Sequence, residues 1–127
     1  MSGRFAVIVC LLAASVLAPT HATAAGVTFR VDGIGSRQCS EITAAFKEDA
    51  KGIANDMMGW AYGYMTRRNF ERARAGLTQI RLQSEKFGPV EMVSLMLTFC
   101  EDHPSVRYYA AVDALFEILA EEQGIVS

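Results

Sequence analysis

Histidine is nearly missing from this sequence, with two in 127 residues. Also missing are a Cys-x-x-Cys pair, a metal-ligand spacing of His, Cys, Asp or Glu, and a glycine-rich phosphate loop. These absences remove the groups that a zinc hydrolase, a thiol oxidoreductase or a nucleotide hydrolase needs. No pairing of a nucleophile with a base stands out either, so no catalytic, cofactor-binding or metal-binding residue is expected, and the chain reads as a non-enzyme. A basic surplus is lacking as well. Twelve Lys+Arg against 14 Asp+Glu give a net charge of −2, which leaves no electrostatic footprint for nucleic acid. The length gives room for one modest domain and excludes a multidomain enzyme.

One long apolar run is present, from Phe5 to Ala18 between Arg4 and Pro19. As a helix it would rise about 21 Å, short of the roughly 30 Å hydrocarbon core of a bilayer. Small residues at Ala22-Thr23-Ala24 supply a cleavage site, so residues 1–24 are expected to be a secretory signal peptide rather than an uncleaved anchor. Cys10 falls too early in the run for a lipoprotein cleavage cysteine and would leave with the signal. Removing 24 of the 127 residues leaves a mature chain of 103 with 11 Lys+Arg and 14 Asp+Glu, mildly acidic and without a membrane span. The expected location is the periplasm.

Cys39 and Cys100 are then the two cysteines that remain. An even pair in an exported chain reads as a disulfide, because those compartments oxidise thiols and a small domain gains from a cross-link. His103, three residues beyond Cys100, is the one mature histidine and makes a poor case for a cysteine protease.

Residues 25–38 carry several glycines around a Val-Thr-Phe-Arg-Val alternation and read as an extended N-terminal arm. Residues 39–123 read as an all-α domain of four short helices. Ser36 or Ser40 is the expected cap of a first helix from Cys39 to Phe46, with Glu41 in its first turn, and the segment Lys47 to Gly52 weakens or bends it. In the second, Ile53, Met57, Trp60, Ala61, Tyr64 and Met65 fit a 3.6-residue period, with Asn69 as its C-cap. The segment 70–88, basic at first and broken by Gly76 and Gly88, has no assignable structure, and Arg67, Arg68, Arg72 and Arg74 read as a solvated charged loop with an acidic partner or an anionic lipid head group as the functional alternative. Pro89 opens a third helix carrying Val93, Met96, Leu97 and Cys100; Ser105 caps a fourth carrying Tyr108, Ala111, Val112, Leu115, Phe116 and Leu119, which stops at Gly124.

Taken in order, Cys39, the segment Trp60-Ala-Tyr-Gly-Tyr-Met-Thr-Arg-Arg-Asn69 and the segment Phe99-Cys-Glu-Asp-His-Pro104 before an Ala-rich helix form a pattern. It resembles the HdeA/HdeB-like periplasmic proteins over about residues 39–120. The resemblance makes Trp60, Gly63, Tyr64, Asn69 and Pro104 the family-motif core and implies a bonded cysteine pair. The chain departs from the pattern at Thr66-Arg67-Arg68, where relatives often place a glycine, and in its long link from Asn69 to Cys100.

The resemblance implies an acid-stress holdase that idles when folded and binds denatured periplasmic proteins through apolar surface bared at low pH. Protonating 14 carboxylates would turn the mature chain strongly positive, and self-repulsion favours opening. Met57, Trp60, Tyr64, Met65, Met96 and Phe116 are the expected client-binding residues, since flexible thioethers and aromatic rings suit promiscuous contacts. The alternative is an exported binding or inhibitor module of the immunity-protein type, acting on one protein partner at neutral pH. Neither reading calls for nucleic acid or a cofactor, and a homodimer is compatible with both.

Overall fold

The computed structural model describes residues 29–125. The signal-peptide reading of residues 1–24, with Cys10, lies outside them. Among the described residues there are four α-helices and no strand: α1 Cys39–Glu48, α2 Ala50–Arg74, α3 Pro89–Asp102 and α4 Tyr108–Glu122. The expected all-α class is what the chain adopts.

The helix starts differ from the sequence reading in two places. The N-cap of α1 is Gln38 rather than Ser36 or Ser40, and the Glu41 carboxylate accepts the Gln38 backbone N–H at 2.7 Å, the glutamate half of a capping box. The N-cap of α4 is Arg107 rather than Ser105. What fixes it is a long-range zipper: Cys39 N–H donates to the Val106 carbonyl at 2.7 Å, and Tyr108 N–H donates to the Arg37 carbonyl at 2.9 Å. Two helices far apart in sequence thus start side by side.

Asp49 breaks the chain between α1 and α2 and caps the second helix by accepting Gly52 N–H at 2.9 Å. The second helix is not short. It runs 25 residues, or about 37 Å, and passes straight through Asn69. It stops at a Schellman motif: Gly76, at φ 72°, donates to the Ala73 carbonyl, and Leu77 N–H donates to the Arg72 carbonyl at 2.9 Å. Pro89 occupies the first turn of α3, where its missing N–H costs nothing.

Residues 29–38 are not uniformly extended. Gly33–Ser36 form a short 3-10 turn whose Gly35 lies under the Trp60 ring. A Cβ on Gly35 would sit 2.0 Å from that ring, so glycine is required there.

The core gathers the inward stripes of all four helices, including Ile42, Met57, Met65, Met96, Leu115 and Phe116, each at most 1% exposed. Tyr108 is fully buried among them, and its hydroxyl donates to the Met57 carbonyl at 3.0 Å. Cys39 and Cys100 are bonded to each other and join α1 to α3 inside this core. Among the described residues no helix is long and apolar enough to cross a membrane.

Residues 75–88, whose structure the sequence left open, contain no helix or strand, yet they are pinned at two successive positions. The Asn69 carboxamide accepts Ile80 N–H at 2.8 Å and donates to the Ile80 carbonyl at 2.7 Å. The Gln123 carboxamide does the same for Arg81, at 2.9 and 3.0 Å. Each amide imitates a neighbouring strand. Ile80 and Phe87 are thereby plugged into the core.

Candidate functional site

Positions 60, 64 and 68 fall on one line of α2, since residues four apart share a helix face. Trp60, Tyr64 and Arg68 occupy them and form the seam with α4 and the N-terminal turn. The Trp60 indole N–H donates to the Asp32 carbonyl at 3.1 Å, and its ring stacks on Tyr64 at 5.0 Å between centroids. The Tyr64 hydroxyl donates to Asp113 at 3.0 Å. Arg68 completes the line by reaching Asp113 at 3.0 Å and Glu117 at 2.9 Å while its guanidinium lies 4.3 Å from the Phe116 ring centroid.

Burial and the Asp113 charge set the chemistry of this seam. Desolvation first, and then Asp113, push the Tyr64 phenol from its ordinary value of 10.0 up to about 12. Burial alone pushes Tyr108 up further still. A phenol whose folded value is raised stabilises the fold fully below pH 10.0 and loses that contribution as pH climbs toward 12. Unfolding measured across that window should therefore show falling stability, Tyr64→Phe should flatten part of the slope, and Asp113→Asn should bring the Tyr64 absorbance titration back toward its ordinary range.

Under the seam lies the set that the sequence singled out for binding denatured proteins. Met57, Met65 and Met96 are 0% exposed and Phe116 is 1% exposed, so all four are closed off in the folded state. Trp60 and Tyr64 are half-buried at its edge. Gly63, by contrast, is exposed on the other side of α2, and a Cβ there would meet nothing within 4 Å. Pro104 sits in the turn before α4, where its carbonyl accepts Ser40 N–H at 2.9 Å.

Two readings of polar residues are corrected here. Asn69 is not a helix cap but an interior helical residue that clips the 75–88 segment to α2. Nor do Arg67, Arg68, Arg72 and Arg74 lie in a loop; all four are helical, because α2 continues past Asn69. Arg68 is the cation of the seam, and Arg72 holds the Thr78 carbonyl with its Nε–H at 2.8 Å. Asp113, Glu117 and Gln123 were missed by the sequence reading. A four-residue spacing of acids on α4 opposite a four-residue spacing of Tyr64 and Arg68 on α2 was the available signal.

On another side of the molecule α1, α2 and α3 leave an open groove of about 620 Å³, with Phe46, Ala54, Met58, Val90, Val93 and Leu97 among its lining residues. Val90 stands 76% exposed at its rim. Among the described residues no cluster of three or more His, Cys, Asp or Glu is arranged to hold a metal ion.

Fold and seam define a class: an all-α domain with one internal disulfide, whose second and fourth helices are tied through two carboxylates over a methionine-rich core. No family model, curated protein or solved structure matches the chain.

Proposed function

We propose that the chain is an exported holdase that captures denatured proteins in acid, in line with its resemblance to the HdeA/HdeB-like periplasmic proteins. The observation that carries this reading is the unequal chemistry of the ties around the core. Helices α1 and α3 are joined by a covalent bond that acid does not touch. The charged tie between α2 and α4 depends on Asp113 and Glu117. Protonating both removes the charges that hold Arg68, a partly exposed pair of contacts worth up to about 1 kcal/mol.

The same acid leaves the 11 Lys+Arg of the exported chain facing no negative side chain, so self-repulsion acts in the same direction. Parting the seam uncovers Met57, Met65 and Phe116, while the disulfide limits expansion. Clients are held through apolar contact, and no chemical step is involved.

The test is light scattering of an aggregation-prone exported protein brought to pH 2–3, with and without the oxidised chain. Suppression at near-stoichiometric ratio is the expected result. A chain that stays closed, or that opens without protecting the client, overturns the reading. Asp113→Asn with Glu117→Gln should loosen the seam already at neutral pH, seen as a shift in the emission of Trp60, the single tryptophan.

A further inference from the structure

The last two turns of α2 and the segment after it concentrate one kind of charge. Residues 67–81 hold Arg67, Arg68, Arg72, Arg74 and Arg81, five of the chain's nine arginines, against the single acid Glu71, although the chain as a whole is net negative. Arg68 is spent on the seam and Arg72 on the Thr78 carbonyl. Arg67 and Arg74 instead stand on either side of the Phe70 ring, at 5.3 and 5.8 Å from its centroid. Arg67 also pairs with Glu71 one turn on, an exposed contact of small energy.

Phe70 is 50% exposed and Leu77 is 54% exposed, two of the four large apolar side chains that stand out in solvent among the described residues. Neither is required by the fold in that position. In a Schellman motif the residue at the Leu77 position usually packs on an apolar side chain five or six residues back, but here those residues are Arg72 and Glu71. Leu77 is left without that contact.

We infer that the Arg67, Phe70 and Arg74 face of α2 is a docking surface for an acidic protein, one that presents carboxylates on both sides of an apolar pocket. Arg67 and Arg74 are seven residues apart, so the carboxylates they meet lie about 10 Å apart. Arginine rather than lysine at both places suits bidentate carboxylate recognition, and a guanidinium held against a ring loses less freedom on binding. Arginine and aromatic side chains are also the residues that dominate protein interfaces. The net charge of the whole chain works against a polyanionic membrane, which would meet the remaining acids as well as this patch. The surface is present in the closed molecule and does not depend on the acid opening proposed above.

The experiment uses a labelled helical peptide with glutamates seven positions apart on either side of a Leu-Phe centre, titrated with the oxidised chain at pH 7 by fluorescence anisotropy. Amide shift changes in NMR locate the contact. Binding centred on residues 67–74 is expected, weakened roughly tenfold by Arg67→Glu with Arg74→Glu and by the glutamine version of the peptide, and further by salt. Phe70→Ala should cost about fivefold, and circular dichroism verifies that each variant keeps its helices. No binding, binding untouched by the charge reversals, or tighter binding to vesicles containing anionic phospholipid than to the peptide would overturn the inference. None of these outcomes bears on aggregation suppression in acid.

Discussion

Replacing both cysteines, Cys39→Ala with Cys100→Ala, is expected to lower the stability of the folded chain by about 4 kcal/mol. The bond spans 61 positions, and closing a loop of that size in the unfolded chain removes entropy that the reduced chain regains. Both residues are fully buried, so the alanines also leave a small apolar void. With a urea dependence of roughly 1.5 kcal/mol/M, the midpoint should fall by about 2–3 M. Equilibrium unfolding in urea at pH 7 checks this. A fall of less than 1 kcal/mol would mean that the unfolded chain is already constrained without the bond.

In acid the same double variant should lose α1 against α3 together with α2 against α4, and so unfold globally instead of opening along one seam. The expected consequence is that it aggregates with its client rather than protecting it.

Asn69→Ala is expected to cost about 2–3 kcal/mol, because two backbone groups of the buried Ile80 lose their partners together. The damage should be local. Hydrogen exchange across residues 77–88 should speed up far more than in α1 or α3, since the Gln123 clip on Arg81 then holds the segment alone. Asn69→Asp separates the two halves of the clip: its carboxylate still accepts Ile80 N–H but, when charged, cannot donate to the Ile80 carbonyl. An alanine variant as stable as the parent would contradict the assignment of Asn69 as the clip.

The cysteine pair and Asn69 also mark where the sequence was legible and where it was not. The cysteine pairing, the Pro89 start and the apolar stripes of α3 and α4 follow from local chemistry and period, and the structure has them. The length of α2 was hidden because Thr66-Arg67-Arg68-Asn69 carries polar side chains and an apparent cap, while the true stop is the Gly76 turn seven residues on. Asn69 acts on a segment eleven residues away, which no local signal announces. The start of α4 was misplaced for the same reason, since the backbone of residues 37–39 sets it from the other end of the domain. Of the seam, Trp60 and Tyr64 were legible as a stripe, but their partners on α4 become visible only when the two helices are laid side by side.

The central claim is that acid opens one seam and leaves the disulfide-linked pair in place. Hydrogen exchange at pH 2.5, read by mass spectrometry with and without a denatured client, tests it most directly. The expected result is loss of protection in α2 and α4 around Trp60, Tyr64 and Phe116, retained protection in α1 and α3, and renewed protection of the opened faces when client is present. Uniform protection throughout, uniform loss throughout, or opened faces that the client leaves unprotected would contradict it.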